Sequence, residues 1–337
     1  MSVNKKINGK IAFFLILTPI ITGIFCIGFG RYSLSMIDTL FIFKNMIMGE
    51  HVDETAYTVL FQVRLPRILL AMIVGAGLAC SGAAFQGLFT NPLATPDTLG
   101  VASGASFGAV LAMMFDMNLI FIQLFALLLG LFACFITYNI SKINGKSSII
   151  MIVLGGIVVS AMFQAFVSLL KYIADPQDKL PAITYWLMGS MSSANYKNLL
   201  LGVPFIFVGI IMIYLLKWKI NILSLQEEEA KSMGLNIKMT RGMLIIASSL
   251  ITASCVSMCG QVGWIGLLIP HLSRMIMGSN NQVVIPTSIS LGATFMLIID
   301  TFARSATSSE IPLSILTAMI GAPFFIALLR KTGGVWA

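Results

Sequence analysis

Residues 62–67 read QVRLPR, so the guanidinium groups of Arg64 and Arg67 straddle a proline just before the apolar run ILLAMIVGAGL. Fixed cations at such a lip can snorkel into a headgroup layer, and which side of the membrane the lip faces decides whether that reading suffices. Pro66 suits the first turn of a helix, where a missing N–H costs little, so the pair is held at a defined place. Further along, Asp300 and Arg304 stand four residues apart, the spacing of an ion pair on one helix face. The stretch GQVGWIGLLIPHLSR (260–274) carries His271 and Arg274 at the end of an apolar run, where a histidine could relay protons or ligate a metal. His51 is the only other histidine, which excludes a multi-histidine metal site and favours a boundary residue. Cys255 and Cys259 share a helix face with no histidine or carboxylate near them in sequence. They read as small packing residues, and Cys26, Cys80 and Cys134, each in an apolar segment, make no disulfide framework with them.

The elements that must position these groups are set by composition. The chain has 337 residues, 58% of them hydrophobic and 10% charged, with mean hydropathy +0.94. A soluble domain carries roughly 25% charged residues. The chain is therefore read as an all-α polytopic membrane protein, with room for about ten spans at ~20 apolar residues each. No polar stretch is long enough for a soluble domain of ~100 residues, so residues 1–337 form one transmembrane domain. An energy source or capture domain therefore either belongs on a separate chain or does not exist. The net charge of +8 is spread through short loops without a basic stripe, a topology signal that does not suit nucleic acid.

Apolar runs predict spans near 11–30, 67–89, 97–115, 118–140, 149–170, 197–216, 242–258, 261–277, 283–302 and 313–330. The first is too long for a signal-peptide core and lacks a small-residue cleavage site, so it reads as a retained span. A cytoplasmic N-terminus then returns the C-terminus to the cytoplasm. That orientation places Lys5, Lys6, Lys10, Lys142, Lys146, Lys217, Lys219, Lys231, Lys238, Arg241, Arg274, Arg330 and Lys331 inside. Arg31, Lys44, Arg64, Arg67, Lys171, Lys179, Lys197 and Arg304 fall outside, mixed with most of the acids. The bias follows the positive-inside rule, and Arg64 and Arg67 run against it, which makes them harder to explain as anchors.

Two outer connections are long. Residues 31–66 include SLSMIDTLFIF, a short amphipathic stretch suited to a surface, and 171–196 carry Pro176, Pro181, Tyr185 and Trp186, suiting a bent segment held at the interface. The longest inner connection is KWKINILSLQEEEAKSMGLNIKMTR (217–241). Ser224 with Glu227 has the form of a capping box, three glutamates load the helix start, and Gly234 offers a stop. A helix of about nine residues is expected within 224–234. Small residues crowd GAGLACSGAAFQGLF (75–89) and GVASGASFGAV (100–110), faces that let helices approach closely. Between them, NPLATPDTLG is a sharp hairpin whose Asp97 can cap the next helix.

In this order and spacing, the block from RLPR to GASFGA, LSLQEEEAKSMGL, GQVGWIGLLIPHLSR and DTFARSATSSEIPLSILTAMIGAPFFIALL resemble one family. It is the FecCD/BtuC-type permease family, the membrane subunits of binding-protein-dependent ABC importers for iron chelates and cobalamin. The resemblance covers essentially the whole chain. It implies a type II importer permease of ten spans that works as a homodimer in the plasma membrane. Two cytoplasmic ATPase subunits would hold ATP and Mg, and an external substrate-binding protein would deliver cargo. It also assigns Arg64, Arg67 and Arg304 to docking of that binding protein. Leu225, Glu227, Glu228, Glu229, Ala230, Met233 and Gly234 map onto the helix that couples to the ATPase. Family members often have glycine before the glutamate of that helix, where this chain has Gln226.

No G-x-x-x-x-G-K-[ST] phosphate loop is present, so the chain is read as a transport subunit and not an enzyme, with no metal or cofactor of its own. The fifth span and its flank offer Met151, Gln164, Ser168 and Met191 as pathway lining. An ion-coupled secondary transporter is the competing class and would need a buried carboxylate, for which Asp300 is the nearest candidate. A membrane enzyme lacks any nucleophile–base cluster. Relatives of this architecture carry iron–siderophores, haem, cobalamin or oxyanions such as molybdate. Iron chelate is the base-rate choice.

Overall fold

Apolar runs leave backbone N–H and C=O groups no partner in lipid, so they satisfy those groups internally as helices. The computed structural model describes residues 7–332 apart from 31, 33, 144, 145 and 148. Lys5, Lys6 and Arg31, used in the topology argument, lie outside the described residues.

The chain opens with α1 (Gly9–Ile27) and α2 (Met36–Met48). A continuous helical rod follows, built from α3 (Glu54–Tyr57), a π-helical stretch (Thr58–Arg64) and α4 (Leu65–Leu88). A 3-10 turn (Pro96–Leu99) leads into α5 (Val101–Met114), and α6 (Leu119–Ile140) ends at a two-residue hairpin of β1 (Lys142–Ile143) and β2 (Lys146–Ser147). Then come α7 (Ile149–Ile173), α8 (Lys179–Leu187), α9 (Tyr196–Leu223), α10 (Glu227–Ser232), α11 (Ile237–Cys259), α12 (Ile265–Met277), α13 (Asn281–Ser305) and α14 (Leu313–Thr332). Seven helical segments among the described residues are long and apolar enough to cross a membrane, and α5, α12 and α14 are shorter apolar helices. Together they account for all the expected runs.

Two of these runs are shorter than expected. Pro96 opens a 3-10 turn in place of α-helix, which trims the predicted 97–115 span to α5. Residues 260–264 are not helical, because Gly260 (φ 72°) caps α11 and Trp264 (φ 69°) precedes α12, both left-handed. A left-handed tryptophan is sterically costly and is held only by surrounding structure. Here the ring packs against Gly321 of α14, where a Cβ would lie 2.8 Å from it.

Helix α4 is the axis of the bundle, buried along nearly its whole length and packed against α9, α11, α12 and α13. The small residues make this possible. A Cβ on Gly75 would collide with the Gly292 carbonyl of α13, and one on Gly292 would collide with the Gly75 carbonyl. Overpacking of this kind costs about 1–3 kcal/mol where neighbours can shift, and two backbones cannot shift easily. Gly292→Ala is therefore expected to lower the unfolding midpoint in detergent, while Gly242→Ala, where a Cβ meets nothing within 4 Å, should leave it unchanged.

The expected surface stretch forms α2, opened by a capping box in which Ser35 and Asp38 satisfy each other's backbone N–H groups. Hydrogen bonds to the carboxylate from the Ser35 side chain first, and then from its backbone N–H, hold the exposed Asp38 carboxyl below its ordinary range. The capping box expected at Ser224 and Glu227 does not form. Helix α9 runs on to Leu223, so Ser224 donates back to the Asn221 carbonyl (2.7 Å). Asp97 likewise caps nothing: the N-cap of α5 is Gly100 (φ 77°), with no side-chain cap.

Candidate functional site

The three arginines assigned to docking come together at the end of the bundle where α1 stops and α4 begins. Arg64 ends the π-helical stretch and Arg67 lies in the first turn of α4, while Arg304 projects from the last turn of α13. They are not on the surface: Arg64 is 3% exposed, Arg67 6% and Arg304 7%.

Arg67 is held from two sides. Its Nε donates to both carboxylate oxygens of Asp300 (3.0 and 3.1 Å) and an Nη donates to one of them (2.9 Å). The two Nη atoms also reach Glu310, at 2.7 and 3.0 Å. Buried charges persist only when paired and hydrogen-bonded, and this double fork satisfies both conditions. Arg304 sits 3.8 Å from Asp300 and donates to the Cys26 carbonyl at 2.7 Å, leaving its Nε without a hydrogen bond. Arg64 donates to the carbonyls of Ile27 (2.6 Å) and Tyr32 (2.5 Å). Arg64 and Arg304 thus both cap the C-terminal carbonyls of α1, the negative end of that helix dipole. Three cations face two carboxylates, so the cluster keeps one positive charge in excess.

The expected Asp300–Arg304 pair exists, but it is the weaker contact of Asp300, whose main partner is Arg67. Glu310 was not singled out by sequence reasoning. The available signal was topological: Arg64, Arg67, Asp300, Arg304 and Glu310 all fall at one end of the spans, and buried charges there must find one another.

At the opposite end, α10 lies between α9 and α11. It spans six residues, Glu227–Ser232, shorter than the nine expected, because Leu225 and Gln226 precede it and Met233 ends it. Gly234 supplies the left-handed stop (φ 77°) as anticipated. Ala230 is the buried contact of the helix. Glu228 and Glu229 are exposed, Leu225 and Met233 present apolar side chains to the outside, and Glu227 pairs with Arg241 at 3.0 Å.

Between the two ends, α4, α5, α7, α11 and the 260–267 stretch enclose a cavity of about 220 Å³ whose polar lining includes Thr95, Asp97, Gln164, Thr252 and Gln261. Gln164 lies at the edge of this cavity on the exposed face of α7. Ser168 lies one turn further along the exposed face of α7 and donates to the Gln164 carbonyl (2.9 Å). Met151, near the start of α7, accepts from Ser141 through its carbonyl (2.9 Å). Met191 departs from expectation. Its side chain is fully buried in the main hydrophobic core and lines no conduit in this structure, although neighbouring Ser192, Ser193 and Asn195 are exposed. Arg274 is partly buried at the inner boundary and donates to the Asn281 side-chain oxygen (3.0 Å). The five cysteines are free and buried.

A polytopic bundle with a reserved helix at one end and a charged cluster at the other is matched by the FecCD transport family over residues 16–331. The chain belongs to the FecCD transport family. Among its relatives, the molybdate import system permease protein MolB of Haemophilus influenzae is 44% identical over 323 residues, covering 96% of each chain. A probable iron chelatin transport system permease of Helicobacter pylori is 35% identical, covering 95% of this chain and 98% of its own. The cobalamin import system permease BtuC of Halobacterium salinarum is 38% identical over 280 residues, covering 83% of this chain and 75% of its own. A metal-chelate-type ABC transporter solved in an inward-facing conformation superposes with TM-score 0.87 at 42% identity. It covers 96% of this chain and 100% of its own. This FecCD chain is accordingly a multi-pass transport permease.

Proposed function

We propose that this FecCD permease is the membrane subunit of a binding-protein-dependent ABC importer that carries a metal chelate, with iron–siderophore the favoured cargo. Two copies would form the pathway by alternating access in the plasma membrane, with both termini cytoplasmic and lipid around the single domain. Two ATPase chains would hold ATP and Mg and grip α10, and an external binding protein would dock at the arginine end. No cofactor or metal is assigned to this chain.

The observation that carries the reading is α10. A six-residue helix between two long spans has no reason to be pre-formed in isolation. Its exposed Leu225 and Met233 flank a charged turn anchored by Glu227–Arg241, a surface that fits a partner transmitting force. The ion-coupled alternative loses ground because Asp300, its candidate carboxylate, is fully engaged by Arg67. A molybdate cargo is the second reading, favoured by the 44% identity to the Haemophilus influenzae permease.

The test is to purify the co-encoded binding protein and identify its ligand by elemental analysis and mass spectrometry. Uptake into vesicles holding the reconstituted complex is then measured. Uptake of that ligand should require ATP, the ATPase chains and the binding protein. Uptake that follows an ion gradient without ATP would overturn the proposal, and bound molybdenum in place of iron would select the second reading.

A further inference from the structure

The docking assignment meets a physical obstacle in this structure. The guanidinium of Arg67 has its fork filled by Asp300 and Glu310, and the most exposed acid of the cluster is Glu310. The Glu310 side chain is 21% exposed against 2% for Asp300. An acidic protein approaching this end therefore meets a carboxylate before it meets an arginine, and a third carboxylate added to a filled fork would be repelled.

The same geometry offers a way through. Glu310 lies in the short Ser/Thr-rich connection 306–312 between α13 and α14, close to solvent, while Asp300 is fixed inside α13. If Glu310 turns outward, it regains hydration while Arg67 keeps Asp300. An incoming carboxylate then takes the two N–H groups that Glu310 released, so two hydrogen bonds break and two form. The excess positive charge contributed by Arg64 and Arg304 favours the incoming anion. Those two arginines are committed to the α1 carbonyls and supply charge without making contact.

We propose that Glu310 is an internal stand-in for a partner carboxylate, and that an acidic external protein docks by displacing it from Arg67 in a carboxylate exchange. The inference rests on the docking reading above and adds to it which arginine is taken and what must leave.

The test compares the ATPase-assembled permease as wild type, Glu310→Gln, and the charge-balanced double variant Arg67→Gln/Glu310→Gln. Each is checked for monodisperse elution, and affinity for the co-encoded binding protein is measured at low and high salt. Glu310→Gln removes the competing charge while Asp300 still holds Arg67, so docking should tighten about tenfold, with the larger gain at low salt. The double variant should lose that gain and bind more weakly than wild type. If Glu310→Gln binds no better than wild type while the double variant binds worse, docking on Arg67 stands and the exchange is overturned. If both variants bind as wild type does, Arg67 is no docking residue and the reading beneath the inference falls with it.

Discussion

Asp300→Ala is expected to destabilise the permease by about 3–5 kcal/mol, the cost of leaving a buried cation without its partner. Two guanidinium groups depend on this carboxylate: Arg67 through three contacts of 2.9–3.1 Å, and Arg304 at 3.8 Å. Without it, Arg67 keeps only Glu310, and Arg304 keeps only the Cys26 carbonyl. The structural consequence goes beyond one pair, because Arg67 belongs to α4, Asp300 to α13, Glu310 to the connection before α14, and the carbonyls belong to α1. The cluster therefore ties four elements together at one end of the bundle. Urea or thermal unfolding in detergent should show the loss as a lower midpoint. The companion variant Arg67→Met/Asp300→Ala removes the Arg67–Asp300 pair, leaves Arg304 on the Cys26 carbonyl and frees the partly buried Glu310 to solvent. It should recover much of the loss, since breaking a buried pair costs more than replacing it. Equal midpoints for Asp300→Ala and wild type would show that the cluster does not hold these elements together.

The same residues make charge reversal at Arg67 a poor test of docking. Glutamate at 67 would sit against Asp300 inside the protein, so loss of docking would be confounded with loss of fold. Glu310, the most accessible charge of the cluster, provides the handle that exposed arginines would have provided.

What the sequence made legible follows from where its signals are local. Ten apolar runs, the crowding of Gly75 and Gly82, and the left-handed stop at Gly234 each depend on residues close in the chain. Pairing of Arg67 with Glu310 spans 243 positions, and nothing in a single sequence specifies it beyond the need for buried charges to pair. Ser224 misled because a capping box looks the same whether a helix starts there or, as here, the preceding helix has only just ended. Met191 misled because a single sequence does not say whether an apolar side chain packs into the core or faces a conduit. The break before α12 was hidden because Gly260 and Trp264 lie in an otherwise apolar run, whereas the trimming of α5 came from the NPLATPDTLG hairpin reaching a few residues further than its composition shows.

At the other end of the molecule, Ala230→Pro is expected to reduce transport and stimulated ATP hydrolysis to the uncoupled background while the bundle stays folded. Ala230 is 1% exposed, its N–H donates to the Gln226 carbonyl (2.9 Å), and its own carbonyl accepts from Leu235 (3.2 Å). Proline deletes the first bond, and its ring collides with the carbonyl four residues earlier, a cost of about 3 kcal/mol in a helix interior. A helix of six residues has too few remaining bonds to absorb that. The long helices on either side, α9 and α11, pack mainly on each other and on α4, so the damage stays local. Glu227→Gln is the informative control. It removes the contact with Arg241 at 3.0 Å, but exposed pairs contribute only about 0–1 kcal/mol, so transport should remain near wild type. Loss of transport in both variants would assign coupling to the charge rather than the helix. Full transport in Ala230→Pro would move the coupling contact away from α10, and the exposed pair Leu225 and Met233 would then need another explanation.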